Sequence, residues 1–164
     1  MNLKESIYIC AKENKLGQMG FQESFIDTII KQNKVFSLTL DEGFAMTLSN
    51  AFVDDDDNQM ELFCFWSDLK MAQKSIKDEW EDYQISTISL STFLEDWCIG
   101  LSNENYVIGL DFDEKLVGVE GDSLELLIDI SKILIDKSIE VNFEKFKSVQ
   151  EILDYAEKAI EYQD

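Results

Sequence analysis

The 164-residue chain contains no His, no Arg and no Pro. Without His, neither Ser-His-Asp nor Cys-His catalysis is available, and no imidazole can bind a metal ion. Without Arg, the chain lacks the planar fork that binds phosphate or carboxylate at two points. Because these absences exclude several common enzyme classes, we predict a protein that is not an enzyme and has no cofactor.

Cysteine and long apolar runs are also scarce. The three cysteines lie far apart and beside bulky apolar residues, which predicts buried thiols in place of disulfides at Cys10, Cys64 and Cys98. No apolar run approaches the roughly 20 residues that cross a bilayer. The first residues lack the apolar region of a signal peptide. We therefore expect a cytoplasmic protein that does not associate with membranes.

Negative charge is abundant and unevenly distributed. The chain has 34 acids against 14 Lys, for a net charge of −20. Residues 35–114 hold 18 of the acids and three Lys, a net of −15, and the rest of the chain has a net of −5. A field of one sign favours a cationic protein partner. It disfavours direct binding to nucleic acid or to an anionic membrane.

The apolar pattern predicts a single α+β domain over residues 1–164, with a mainly antiparallel sheet packed by helices and an added C-terminal helix. Its core is expected over residues 21–134, followed by a strand–helix extension over residues 136–164. Residues 2–13 fit either a short helix or a strand. Strands are predicted at residues 35–40, 44–48, 60–65, 84–90, 106–110, 116–119 and 139–143.

Helices are predicted from apolar periodicity and capping residues. The first covers residues 21–34. Ser67 is expected to cap a helix with Leu69, Ala72, Ile76 and Trp80 on one side, and Thr92 with Glu95 forms a capping box for a helix with Trp97 inward. Asp122 and Ser148 are expected to cap the last two helices.

The acidic run Asp54-Asp55-Asp56-Asp57 predicts an exposed loop, because adjacent carboxylates repel each other. Calcium-loop spacing fails here, since Gln59 stands where a Gly is needed and Phe65 where a bidentate Glu is needed. The loop is therefore a solvated turn or a partner contact. Asp111 and Asp113, two residues apart, are interpreted as turn residues in preference to an acid–base pair.

A second acidic cluster surrounds two aromatic residues, Trp80 and Tyr83. Aromatic side chains ringed by carboxylates suit a partner rich in Lys or Arg. In the alternative interpretation, both aromatic side chains pack the end of a helix onto the sheet. The run from Phe63 to Trp66 predicts a buried strand.

Several aromatic and structural motifs follow one another along the chain: the Val-Phe-Ser-Leu strand, the Asp-Glu-Gly turn, Phe63-Cys64-Phe65-Trp66-Ser67, Glu79-Trp80, Phe93-Leu94-Glu95-Asp96-Trp97 and Tyr106-Val107-Ile108. In this order the chain resembles a small bacterial family, domain of unknown function 2750, over roughly residues 21–134. The acidic insertion at residues 54–58 and the extension after residue 136 depart from the family pattern. The resemblance implies a fold and no catalytic residue.

In charge and size the chain also resembles immunity proteins, which bind and neutralise a cationic toxin, often a nuclease. The leading hypothesis is therefore an acidic binding protein that blocks a basic toxin domain electrostatically and sterically. The residues expected to contact the partner are Asp54, Asp55, Asp56, Asp57, Glu61, Asp68, Asp78, Glu79, Trp80, Glu81, Asp82 and Tyr83. A nucleic-acid mimic, a carboxylate- or metal-dependent enzyme, and acidity that serves solubility alone are the alternatives.

Overall fold

A computed structural model describes residues 15–162, with side chains from residue 22 onward. The predictions for residues 2–13 and Cys10 lie outside this range. In chain order the elements are α1 (Lys15–Gln32), β1 (Lys34–Leu40), β2 (Gly43–Phe44), β3 (Met46–Val53), β4 (Gln59–Phe65), α2 (Leu69–Lys74), a 3₁₀ turn (Asp78–Trp80), β5 (Gln84–Ser89), α3 (Leu90–Thr92, a π-helical turn at Phe93–Cys98, then Ile99–Asn103), β6 (Val107–Leu110), β7 (Val119–Gly121), α4 (Ser123–Asp136) and α5 (Val149–Glu161).

The strands form two sheets, and most of their pairings are antiparallel. The first sheet has the order β2-β1-β5, and the second has the order β3-β4-β6-β7 with one parallel pair, β4 with β6. The two sheets meet where Phe36 and Trp66 exchange both backbone N–H···O=C bonds, each 2.8 Å long. The predicted α+β class is thus confirmed.

Alternate residues of the central strands enter two different hydrophobic cores. Val35 and Phe65 belong to the larger core, beside the helices. Phe36, Cys64 and Trp66 belong to the smaller core, on the other side of the strands. Because successive side chains of a strand point to opposite faces, strands covered on both faces read as continuous apolar runs.

Local chemistry correctly predicted several element boundaries. Strand β1 begins one residue before the predicted range, β4 covers the predicted residues 60–65, and residues 54–58 form the loop before it. Asp122 caps α4 by accepting a 2.7 Å hydrogen bond from the amide of Leu124. Ser148 caps α5 through the amide of Glu151, at 3.1 Å. Each cap depends on residues within one helical turn, so it can be predicted from the sequence without knowledge of the tertiary structure.

Several predicted elements have different bounds in the structure. The helix expected to include Trp80 ends at Lys74, and the strand expected at residues 116–119 is β7, at Val119–Gly121. The strand expected at residues 44–48 is divided at Ala45, whose amide donates to the carbonyl of Leu38 in the first sheet. The same residue's carbonyl accepts from the amide of Cys64 in the second sheet. Helix α1 already covers residue 15 and therefore begins before the predicted residue 21.

Two predicted helix caps were wrong. Asp68, and not Ser67, caps α2, because the hydroxyl of Ser67 donates to the carboxylate of Asp111. The next helix begins before Thr92, because Ser89 accepts a hydrogen bond from the amide of Thr92 and acts as the cap. Glu95 is consequently the buried partner of a distant segment and not the second half of a capping box.

The strand predicted at residues 139–143 is absent from the described structure. Residues 137–148 instead form an irregular connection between α4 and α5. Glu95, only 5% exposed, accepts hydrogen bonds from the amides of Glu144 at 3.0 Å and Lys145 at 2.9 Å. Glu95 thus fixes the connection directly after residues 139–143 and satisfies two of its backbone donors.

Glu95→Ala should therefore destabilise the fold by about 3 kcal/mol, since two amides and a buried site lose their charged acceptor. Urea unfolding measures the change. The matched control is Glu144→Ala, which removes an exposed side chain and keeps the backbone amide, and should change the free energy of unfolding by less than about 0.5 kcal/mol. Equal losses in the two variants would contradict this role for Glu95.

Asp122 generates a prediction about pH. Burial raises the pKa of its carboxyl above the ordinary 3.8, and the amides of Leu124 and Glu125 oppose this effect. The folded state therefore favours the protonated carboxyl of Asp122. Its contribution to the free energy of unfolding is complete below about pH 4 and is lost as the pH rises through the raised pKa.

Asp122→Asn keeps a capping oxygen and cannot ionise. Relative to the unmodified chain, its free energy of unfolding should increase between about pH 4 and pH 7. Asp122→Ala, which removes the cap, should cost about 1 kcal/mol or more at the acidic end of this range. Urea unfolding at a series of pH values tests both variants. If the difference in free energy of unfolding between Asp122→Asn and the unmodified chain did not vary with pH, the raised pKa of Asp122 would be refuted.

Candidate binding surface

The acidic loop between β3 and β4 is an ordered turn. One oxygen of Asp54 accepts hydrogen bonds from the amides of Asp56 and Asn58, both at 2.9 Å. The hydrogen bond with the amide of Asn58 is the main cause that lowers the pKa of Asp54. Asp55, Asp56 and Asp57 are all exposed. The loop thus presents its carboxylates to solvent from a defined backbone.

The second acidic cluster lies on the 3₁₀ turn, and its two aromatic residues have different surroundings. Trp80 is only 5% exposed, and its ring centroid lies 6.0 Å from that of Trp66 in the smaller core. Its burial removes Trp80 from the predicted contact surface, and the packing interpretation is correct for this residue. Tyr83 is partly exposed. The four acids of the cluster, Asp78, Glu79, Glu81 and Asp82, are exposed.

Asp78 and Glu79 line a small cleft of about 250 Å³ together with Asp113 and Glu114. Lys77 and Lys115 line the same cleft, and the Nζ of Lys77 lies 4.0 Å from Glu114. Lysines therefore compensate part of the negative charge at this end of the cluster. Glu81 and Asp82 do not line this cleft, and they directly precede Tyr83 in the sequence.

The remaining predicted acids have local structural partners or lie on a strand surface. Asp68 caps α2, and Glu61 is exposed on β4. Asp111 accepts a 2.7 Å hydrogen bond from the amide of Ser67, and burial raises the pKa of its carboxyl. Asp113 accepts from the amides of Lys115 and Val117. Asp113 thus serves its own turn, as the sequence indicated, whereas the side chain of Asp111 binds the distant Ser67.

Tyr83 lies at the edge of an open groove that sequence reasoning did not anticipate. The groove has a volume of about 640 Å³. We name it the aromatic groove, and its lining residues are Glu42, Gly43, Phe44, Met46, Phe63, Tyr83, Asp96, Trp97, Gly100, Leu101, Glu104 and Tyr106. Its walls come from both sheets and from α3.

The aromatic rings of the groove contact one another edge to face. The ring centroids of Phe44 and Trp97 are 4.4 Å apart, and those of Phe63 and Tyr106 are 5.0 Å apart. On its inner side Trp97 also contacts the fully buried Phe65, at 5.3 Å. T-shaped pairs of this kind are favourable beyond the area that they bury. The aromatic part of the lining is therefore a set of rings packed against one another.

Three exposed carboxylates, those of Glu42, Asp96 and Glu104, surround the aromatic lining. Asp96 forms an ion pair with Lys145. Within the described part of the chain, Glu42 and Glu104 have no ion pair, and no Lys lines the groove. The rim is thus negative, and the interior is aromatic.

The groove could not be anticipated from the sequence pattern, which predicts that Phe63 and Trp97 lie in the interior. Both are partly buried in the structure. Trp97 lies in the π-helical turn of α3, whose wider winding shifts side chains relative to a regular helix. Phe63 alternates with the buried Leu62 and Cys64 along β4. No signal of this exposure was available in the sequence, because residues 62–65 form a continuous apolar run.

Other classes of site are poorly supported by the described residues. Residues 15–162 contain no group of three or more Cys, Asp or Glu side chains that could hold a metal ion. Cys64 and Cys98 are free and buried, and burial strongly raises the pKa of both thiols. Across the same range, no helix has both the length and the apolar character needed to span a bilayer.

Comparison with known families agrees with this architecture. The model of the family described as "Protein of unknown function (DUF2750)" matches residues 22–130, well over half of the chain. The chain belongs to this family. The matched DUF2750 region includes the acidic loop and every residue of the aromatic groove, and it ends before α5. No curated protein and no solved structure matches the chain.

The groove predicts a charge-dependent accessibility of Trp97. All three Trp lie in the described range, and Trp66 and Trp80 are buried. Caesium should therefore quench Trp97 more effectively than iodide, because the rim carboxylates attract cations and repel anions. Stern–Volmer slopes, each normalised to free N-acetyltryptophanamide, measure the difference.

Trp97→Phe should abolish most of this quenching, and Glu42→Gln with Glu104→Gln should reduce the preference for caesium. A double variant of exposed acids on α5, Glu157→Gln with Glu161→Gln, is the control for net charge. If iodide quenched as effectively as caesium in the unmodified chain, the negative rim would be refuted.

Proposed function

We propose that this DUF2750 protein is a cytoplasmic binding protein of the immunity type, which neutralises a basic protein toxin by electrostatic and steric blockade. The activity is binding and involves no catalysis. A toxin that acts on RNA or DNA must itself be basic to bind its phosphates. An acidic protein that occupies the same basic surface would prevent substrate access.

The observation that carries the proposal is the display of acids over residues 35–114. Of the 18 acids in this segment, all except Glu95 and Asp111 are exposed. They lie on turns, strand surfaces and helical turns, and in the loop at Asp54 a carboxylate oxygen accepts from two backbone amides. The three Lys of the segment are too few to neutralise them. A fixed field of this sign accelerates encounter with a cationic protein.

The solubility interpretation accounts for the charge alone and leaves the aromatic groove without an explanation. Exposed apolar surfaces rimmed by polar groups are typical of interaction sites. Here Tyr83 connects the groove to the acidic cluster at Asp78–Asp82 along the chain. Long-range attraction and short-range apolar contact are therefore available on one part of the molecule, as a tight complex requires.

The test is complex formation with the basic products of the genes that flank the one encoding this chain. We expect one of them to co-elute with the protein in size-exclusion chromatography and to lose its toxicity on co-expression. The dissociation constant should rise by about tenfold or more between 50 and 500 mM NaCl. The absence of a complex with every basic neighbour, or a complex insensitive to salt, would contradict the proposal.

Charge variants separate a specific surface from bulk acidity. Replacing Asp55, Asp56, Glu79 and Glu81 by their amides should slow association by about tenfold. The control replaces four exposed acids outside the segment, Glu23, Glu140, Glu157 and Glu161, and should slow association by less than about twofold. Equal effects would indicate that only net charge matters. Competition of the complex by duplex DNA would favour the nucleic-acid mimic instead.

A further inference from the structure

The aromatic groove has the composition of a site for an organic cation. Aromatic rings form much of its lining, among them Phe44, Phe63, Trp97 and Tyr106. The negative face of such rings attracts a cation that lies within about 6 Å of the ring centroid. Glu42 and Glu104 stand on the rim without a basic partner among the described residues.

We propose that the aromatic groove is the docking site for an arginine side chain of the basic partner protein. This inference rests on the proposed function, which supplies the basic partner. A guanidinium is planar and weakly hydrated, so it stacks on aromatic rings at a low cost in lost hydration. Its fork of N–H donors can at the same time bind a rim carboxylate.

Charge complementarity selects this occupant over a second copy of the chain. The chain contains no Arg and has a net charge of −20, so two copies repel each other. A lysine is less suited to the site, because its ammonium is compact and strongly hydrated. An anionic or neutral apolar segment would leave the carboxylates of Glu42 and Glu104 without a partner.

The structure also holds the central ring in place before binding. Trp97 contacts the buried Phe65 and the partly buried Phe44, at 5.3 and 4.4 Å between ring centroids. Within the π-helical turn, the two residues before Trp97 also have fixed partners: Glu95 accepts from the amides of Glu144 and Lys145, and Asp96 pairs with Lys145. A site with its side chains already ordered loses little conformational entropy on binding.

The experiment titrates the ¹⁵N-labelled protein with the peptide acetyl-Gly-Leu-Arg-Leu-Gly-amide. The readout is the indole N–H resonance of Trp97, assigned with Trp97→Phe. We expect a saturable shift at Trp97, with the resonances of the buried Trp66 and Trp80 almost unchanged. The same peptide with citrulline, a neutral isostere of arginine, should have a dissociation constant at least about fivefold higher.

Matched charge variants locate the site. Glu42→Gln with Glu104→Gln should weaken binding of the arginine peptide about fivefold, whereas Glu157→Gln with Glu161→Gln, which removes the same charge from α5, should leave it within about twofold. Equal binding of the citrulline peptide, no saturable shift at millimolar peptide, or equal effects of the two double variants would overturn the inference. Unchanged Trp66 and Trp80 resonances verify that each variant is folded.

The partner complex distinguishes failure of this inference from failure of the proposed function. Trp97→Leu should raise the dissociation constant of that complex by about tenfold or more, as expected for a central aromatic contact. A complex that forms and is unaffected by Trp97→Leu would refute arginine docking and leave the proposed function intact. Arginine-peptide binding at the groove without any complex with a basic protein would refute the proposed function alone.

Discussion

The pair of backbone hydrogen bonds between Phe36 and Trp66 is the constraint on which the rest of the structure depends. It joins the first sheet to the second at the end of β4, and the Trp66 side chain there is fully buried. The indole Nε1 donates to the carbonyl of Phe112 at 2.9 Å. Trp66 therefore connects β1, β4 and the segment after β6. A buried polar network of this kind favours one arrangement, because alternatives leave donors unsatisfied.

The aromatic groove lies at a second connection between the two sheets. At Ala45 the chain passes from the first sheet to the second, so Phe44 belongs to β2 and Met46 to β3. Both line the groove, and the π-helical turn of α3 supplies Trp97 from the opposite wall. The acidic turn at Asp41 and Glu42 lies just before Phe44 in the chain, and the acidic cluster at Asp78–Asp82 directly precedes Tyr83. Long-range attraction by the turns and local contact in the groove are the two physical components of the proposed binding.

The predictions that succeeded and failed differ in the range of the interactions on which they depend. Asp122 was predicted as a helix cap, because the amides that it accepts from belong to the next turn of its own chain segment. Thr92 was wrongly assigned, because Glu95 has its partners about 50 residues away, at Glu144 and Lys145. No strand forms at residues 139–143, because strand pairing also depends on a distant partner and not on the segment alone.

The sequence by itself determined the concentration of negative charge, the exposure of the Asp54–Asp57 loop, the α+β class and the family. Each of these follows from composition or from patterns read along one segment. Only the tertiary structure decided that Trp80 is a core residue while Tyr83 borders a groove with Trp97. The physical reason is that the exposure of an aromatic side chain depends on which distant element covers it. The periodicity of a single segment does not predict that element.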